Sequence, residues 1–191
     1  MPPNSPLVLA FGDSLVAGYG LSRADGFCAQ LERGLRARHP GAVVIDAGMA
    51  GDTTADALRR LPRVLTRLDA RPDLAIVQIG PNDVLHRLPP AATRANLDAL
   101  LAELGRCRVP VLLTTVTPPA FLASRAGGHV GIHEAVAARH GAAVWPFFPP
   151  GVLGHPDMVL ADRVHPNARA ITAVAAAMLP AVERALAAGD G

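Results

Sequence analysis

Aromatic residues are scarce in this 191-residue chain, which has five Phe, one Tyr and one Trp. That shortage argues against the stacking platforms on which single-stranded nucleic acid binds. Lysine is absent, so all 18 cationic side chains are arginines. They are scattered (Arg23, Arg33, Arg36, Arg38, Arg59, Arg60) and not gathered on one segment. With a formal net charge of +2, the chain lacks the basic stripe of a nucleic-acid binder. Its two cysteines, Cys28 and Cys107, make neither a metal motif nor a disulfide framework, and are expected as buried free thiols. Long uninterrupted apolar runs are also missing. The most apolar tract, Ala168 to Ala188, is broken by Arg169, Pro180, Glu183 and Arg184. It is expected to dock as a terminal helix, without stable membrane insertion. Met1-Pro2-Pro3-Asn4 has neither a basic region nor an apolar stretch of a secretory signal. The chain as written is therefore expected to be cytoplasmic, or periplasmic or secreted where a leader has been removed. Repeats, low-complexity tracts and linkers are absent too. Half of the residues are hydrophobic and 18% are charged. Residues 1–191 are expected to form one domain with a full core.

What is present is an alternation of strand-like and helix-like stretches. Leu7-Val8-Leu9-Ala10-Phe11 is an apolar run that breaks at Gly12-Asp13-Ser14. Such a run reads as a strand buried on both faces of a parallel sheet. Phe27, Leu31 and Leu35 share one helical face. Val43-Val44-Ile45 is a second strand, ending at Asp46-Ala47-Gly48. A helix then holds Ala57, Leu58, Leu61, Val64, Leu65 and Leu68, with Pro62 as a potential kink. Leu74 to Ile79 is a third strand, ended by Gly80-Pro81-Asn82-Asp83. Pro89-Pro90 opens a helix with a stripe of Leu97, Leu100, Leu101 and Leu104. Val111 to Thr115 is a fourth strand, Ile132 to His140 a helix, and Ala142 to Trp145 a short fifth strand. Pro166 suits the first turn of the last helix. The class is α/β, a three-layer αβα (flavodoxin-like) fold with a five-stranded parallel sheet. Right-handed crossovers and short connections give the expected order 2-1-3-4-5.

That order places the loops after strands 1, 2 and 3 around one crevice. They carry Ser14, Gly51 and Asn82. A serine hydroxyl attacks carbonyl carbon. A glycine brings a bare N–H close to an oxyanion, and a carboxamide donates a second hydrogen bond. On Gly12-Asp13-Ser14 alone, a helix N-cap and a nucleophile both remain open. Among the seven histidines, His165 is the best candidate base. Asp162 lies three residues before it, a spacing that one turn folds so that the carboxylate meets the imidazole.

Gly12-Asp13-Ser14-Leu15, Gly51, Gly80-Pro81-Asn82-Asp83 and Asp162-Arg163-Val164-His165 together resemble the four sequence blocks of the GDSL, or SGNH, hydrolases. Order and spacing match over nearly the whole chain. Ala17-Gly18-Tyr19-Gly20, Gly51-Asp52-Thr53-Thr54, Arg60-Leu61-Pro62 and Pro146-Phe147-Phe148 are similar to the thioesterase I / arylesterase / lysophospholipase L1 branch. The resemblance implies Ser14 as nucleophile, His165 as general base and Asp162 as its orienting partner. It implies an oxyanion hole from the Ser14 N–H, the Gly51 N–H and the Asn82 side chain, with no metal and no cofactor. Three positions depart from the pattern. Asp46 stands where the second block often has Asn, Pro81 replaces a commoner small residue, and Arg163-Val164 replaces the usual Gly-Ile. Arg163 is expected to point to solvent.

Plainer roles are expected elsewhere. Asp13 reads as an N-cap or buried partner of its loop, Asp83 as support for its own turn, and His129 and His133 as solvated residues at a helix start. The latter pair lacks a third ligand and the zinc-protease order. The rim loops are apolar, and Pro119, Phe121, Phe147 and Phe148 are the expected substrate-binding residues. The partner is a small-molecule ester, and the oligomeric state is left open. The reading is a serine esterase for short- to medium-chain acyl or aryl esters, working through an acyl-enzyme. An acyl thioesterase/lysophospholipase or a carbohydrate O-deacetylase of the same family is the alternative. A non-catalytic flavodoxin-like binding module is set apart by the Asp162/His165 pair, for which it has no use.

Overall fold

The structure is a computed structural model and describes residues 5–118 and 123–189. The first strand, β1 (Leu7–Gly12), is an interior strand of the sheet. Val8, Leu9, Ala10 and Phe11 are all completely buried. Successive side chains on a strand point to opposite faces. Val8 and Ala10 accordingly join one core layer, and Leu9 and Phe11 the other. Burying a side chain such as Leu9 or Phe11 contributes about 1.5–3 kcal/mol.

The chain continues through α1 (Ser14–Ala17), α2 (Phe27–Arg36), β2 (Val43–Gly48), α3 (Thr54–Leu65), β3 (Leu74–Gln78) and α4 (Pro81–Leu85). It closes with α5 (Pro90–Arg106), β4 (Val111–Thr115), α6 (Ala123–Ala126), α7 (Ile132–His140), β5 (Ala143–Pro146) and α8 (Ala168–Ala188). All strand pairs are parallel, and the sheet order is β2-β1-β3-β4-β5. On one face, Phe27, Leu31 and Leu35 of α2 meet Ile171, Val174, Met178 and Val182 of α8. On the other, α3, α5 and α7 supply Ala57, Leu61, Leu97, Leu100, Leu104, Ile132 and Val136. Helix α8 is long and apolar enough to cross a membrane by length and composition. Its apolar face is spent on this core.

Local chemistry sets the helix bounds. A capping box closes the start of α3: Thr53 accepts from the Asp56 N–H, and Asp56 accepts from the Thr53 N–H. The helix runs through Pro62 and stops at Leu65, so Leu68 lies beyond it while still packing on the same core layer. Pro90 occupies the first turn of α5. Pro166 does not do so in α8. The Asn167 side chain accepts from the Ala170 N–H at 3.1 Å and takes the N-cap, leaving Pro166 outside in an antiparallel bridge to Val159. Strand β2 extends to Gly48 because it pairs with β1 along its full length. Cys28 is buried and free, whereas Cys107, also free, is only half-buried at the end of α5.

Strand β1 approaches β3 so closely at Gly12 that a Cβ there would sit 2.1 Å from the Gln78 carbonyl oxygen. Backbone cannot yield as a side chain does. We expect Gly12→Ala to cost about 3 kcal/mol or more, the upper end for overpacking. Urea unfolding checks this, and a loss under about 1 kcal/mol would show that the two strands part freely.

Candidate active site

The turn after β1 carries Ser14. Asp13 caps α1, its carboxylate accepting from the Leu15 N–H at 3.0 Å, and its own N–H donates to the Gln78 carbonyl at 3.2 Å. Gly18 ends the helix in a left-handed conformation, and the Tyr19 N–H returns to the Ser14 carbonyl at 3.1 Å. Ser14 is thus the first residue of the helix and not its cap. Its hydroxyl is free for another partner, and that partner is His165: Nε2 lies 3.1 Å from Ser14 Oγ.

The loop before α8 builds the other arm. Asp162 Oδ1 accepts the N–H groups of Val164 and His165 at 2.9 and 3.0 Å, and Oδ2 lies 2.7 Å from His165 Nδ1. Those donors hold its carboxyl down at about 2, the Val164 N–H first and then the imidazole. An ionised Asp162 keeps the proton on Nδ1 and leaves the Nε2 lone pair toward the serine. The Tyr19 ring lies against the imidazole, with centroids 4.4 Å apart. Arg163 is exposed, in line with expectation, and has φ of +59°. That left-handed conformation favours glycine, the residue the resemblance leads one to expect there. The arrangement can move a proton from the Ser14 hydroxyl to His165 as oxygen attacks a carbonyl.

Gly51 stands on the loop after β2, and Asn82 in the first turn of α4. As the first helical residue, Ser14 has an N–H without an intrahelical acceptor. Gly51 has φ of +86° and is exposed. Asn82 Nδ2 donates to the Asp52 carbonyl at 2.8 Å, which spends one N–H of the carboxamide and leaves the other. Pro81 suits its place as the first residue of α4. Asp46 accepts from the Gly48 N–H at 2.9 Å, a local loop bond.

Several side chains sit differently from the sequence reading. Asp83 is completely buried and bonds two other helices, α3 and α5, not its own turn. It accepts from the Thr54 N–H (2.9 Å), the Thr54 hydroxyl (2.5 Å) and the Thr93 hydroxyl (2.9 Å). His133 is not solvated: its Nε2 meets the Ile79 carbonyl at 2.8 Å, and burial pushes its pKa down. Among the described residues no group of three or more His, Cys, Asp or Glu could hold a metal ion. Phe147 does not line the rim. Its N–H bonds the Thr115 carbonyl at 2.8 Å, and its ring is buried against Phe27 at 5.3 Å between centroids. Phe148 is half-buried, edge-on to Phe147 at 5.0 Å. Pro119 and Phe121 lie outside the described residues. Among the described residues, the exposed large apolar side chains on the loops that carry Ser14 and His165 or adjoin them are Tyr19, Met49 and Val164. Sequence reasoning also missed Arg60, which bonds Asp52 and the carbonyls of Ala47 and Gly12.

Residues 10–170 match the GDSL-like Lipase/Acylhydrolase family. The chain is 33% identical over 160 residues to "Esterase TesA" of Pseudomonas aeruginosa, covering 83% of this chain and 79% of that one. It is 28% identical to "Arylesterase" of Vibrio mimicus over 87% of this chain and 82% of the other. Among solved structures it resembles AlinE4, an SGNH-hydrolase family esterase. That likeness has a TM-score of 0.77 and 42% identity, over 95% of this chain and 97% of that one.

Asp13 is the second carboxylate of the site, and its environment is the reverse of that of Asp162. Burial is the largest influence and, with Asp52 and Asp83 nearby, pushes its pKa up to about 7 against the opposing Leu15 N–H. A carboxyl raised on folding contributes stability that is full below its ordinary pKa of 3.8 and lost as pH climbs through about 7. Asp13→Asn keeps the acceptor for Leu15 without the titration. Unfolding free energies of both proteins between pH 4 and 8 should diverge in the variant's favour as pH rises. A constant difference would mean that Asp13 is ionised throughout.

Proposed function

The chain belongs to the GDSL-like lipase/acylhydrolase family, and on that premise we propose that it is a serine esterase acting on short- to medium-chain acyl and aryl esters. Ser14 Oγ attacks the ester carbonyl while His165 Nε2 takes its proton. The Ser14 N–H, the Gly51 N–H and the Asn82 carboxamide receive the negative charge that develops on the carbonyl oxygen. The tetrahedral intermediate collapses, His165 returns the proton to the leaving alcohol, and the acyl group stays on Ser14. Water then repeats the sequence with His165 as base, releasing the acid and the free serine. Asp162 stays ionised and stabilises the imidazolium in both halves. The observation that carries this reading is the unbroken path from Asp162 through His165 to Ser14, with steps of 2.7 and 3.1 Å.

Tyr19, Met49 and Val164 support the substrate size. They are 51%, 54% and 61% exposed, and so offer apolar surface around Ser14. An open rim of this kind desolvates a short acyl chain or an aryl ring. Each methylene buried there contributes at most about 0.8 kcal/mol, and those reaching past it contribute nothing. The test is kcat/KM for p-nitrophenyl esters from acetyl to palmitoyl, with Ser14→Ala as control. Efficiency should peak at short to medium length and vanish in the variant, which should remain folded. A steady climb to palmitoyl would favour the thioesterase/lysophospholipase alternative, and a phosphonate label on a residue other than Ser14 would remove the nucleophile assignment. Asn82→Ala should lower kcat by about 10²–10³ with little change in KM, the effect of one lost oxyanion donor. An unchanged kcat would take Asn82 out of the hole.

A further inference from the structure

Two adjacent arginines on α3 have opposite surroundings. The Arg59 side chain is 71% exposed and pairs with Asp56 on the surface. That of Arg60 is only 20% exposed and turns toward the carboxyl ends of the strands. Its Nε donates to the Asp52 carboxylate, itself 10% exposed. Nη1 donates to the Ala47 carbonyl at 2.8 Å and Nη2 to the Gly12 carbonyl at 2.7 Å. The guanidinium carbon lies over the Phe11 ring, 4.2 Å from its centroid.

These three acceptors are not random backbone. Gly12 precedes the turn that carries Ser14. Ala47 is near the end of β2, where the loop to Gly51 leaves. Asp52 follows Gly51 directly, and its carbonyl holds Asn82 Nδ2 at 2.8 Å. One planar cation therefore ties together the backbone around every proposed oxyanion donor. Arginine suits this role because its five N–H groups form a rigid fork, whereas the lysine ammonium is a flexible point charge.

We propose that Arg60 is a positioning residue for the oxyanion hole, fixing the Ser14 turn, the Gly51 loop and, through Asp52, the Asn82 carboxamide relative to one another. The proposal rests on the esterase reading; the hydrogen bonds of Arg60 go to Asp52, Ala47 and Gly12 and not to the Asp162–His165 arm. Its loss should therefore weaken binding of the developing charge and leave ground-state binding and proton transfer alone. A misplacement of about 1 Å in such a site costs about 10²-fold in rate.

The experiment compares wild type, Arg60→Ala and Arg60→Lys with p-nitrophenyl butyrate, and measures in parallel how fast a fluorophosphonate labels Ser14. The Ala variant should lose about 10²-fold in kcat and a similar factor in labelling rate. KM should stay within about twofold and the pH profile should keep its shape. Added guanidinium ion should restore part of the loss where urea does not, and Lys should fall between Ala and wild type. Should Arg60→Ala fail to fold, Arg60→Lys is read by the same criteria. Combined with Asn82→Ala, the Lys substitution should add little further loss, since both act on one hole. Folded variants with kcat and labelling within about threefold of wild type would overturn the proposal, as would a loss that merely tracks the unfolded fraction. A wild type that labels at Ser14 but hydrolyses no ester would count against the esterase reading alone, and the labelling rates would still decide the role of Arg60.

Discussion

Strand β1 has a parallel neighbour on each side, and the site follows from that constraint. Parallel strands all end at the same edge, so the loops leaving β2, β1 and β3 emerge side by side. The register is tight: Gly12 faces Gly48 on one side and Gln78 on the other. Neither Gly12 nor Gly48 has room for a Cβ, which would meet the Gln78 carbonyl or the Ala17 backbone at 2.1 and 2.2 Å. Ser14 stands two residues beyond this closest approach. Its position is set by backbone contact between strands and not by flexible side chains. A buried β1, apolar on both faces, is what makes so close a fit affordable.

Beneath the rim lies a layer of polar groups with few routes to water. Asp13, Asp52, Thr54 and Asp83 are all buried. Burying a carboxylate costs several kcal/mol unless donors or cations compensate. Asp83 has three donors, and Asp52 has the Arg60 guanidinium. Asp13 has one backbone N–H and two acidic neighbours, and its burial drives it toward its neutral form. The exposed Asp162, with three donors of its own, goes the other way. Between about pH 4 and 7 the two carboxyls nearest the serine and histidine therefore differ in charge. The negative charge is kept beside the imidazole, where it orients the ring, and away from the helix that presents Ser14.

Much of this was legible from periodicity. The alternation of Val8 and Ala10 with Leu9 and Phe11, the four-residue spacing of Phe27, Leu31 and Leu35, and the leucines of α5 each reported their own burial. The Asp-x-x-His spacing disclosed a contact that one turn can make. The bond from His165 to Ser14 spans 151 residues, and no local pattern carries it; the sheet order and the family resemblance did. What stayed hidden depends on partners far away in sequence. His133 reads as a solvated helix-start residue because its acceptor, the Ile79 carbonyl, is 54 residues distant. Phe147 and Phe148 are chemically alike, yet the first falls into the core because its N–H prolongs the pairing with β4. Arg59 and Arg60 look equivalent until α3 is laid on the sheet. Pro166 misleads because Asn167, one residue later, is the stronger cap.

The two halves of the site are consequently built in different ways. The Asp162–His165 arm is local: its carboxylate is held by N–H groups two and three residues on. The loop closes through the Leu160 N–H to the His165 carbonyl at 2.8 Å and the Arg163 N–H to the Leu160 carbonyl at 2.9 Å. These bonds offset the strain of the left-handed Arg163, and the loop needs little from the sheet to keep its shape. The half with Ser14, Gly51 and Asn82 has the opposite character. Each residue sits on a different element, and their mutual distances depend on strand register and on long-range ties such as Asn82 to Asp52. Damage to the loop should therefore cost proton transfer while sparing the fold, since few core contacts depend on it. Damage to the sheet edge reaches the proposed charge-stabilising half and the fold together. Arg60 is the exception to that rule. It lies at the sheet edge with its guanidinium over the Phe11 ring, but its hydrogen bonds end on carbonyl and carboxylate oxygens, so a change there that keeps the stem and the charge, Arg60→Lys, should loosen the geometry of the proposed hole with less damage to strand packing than a change at Gly12.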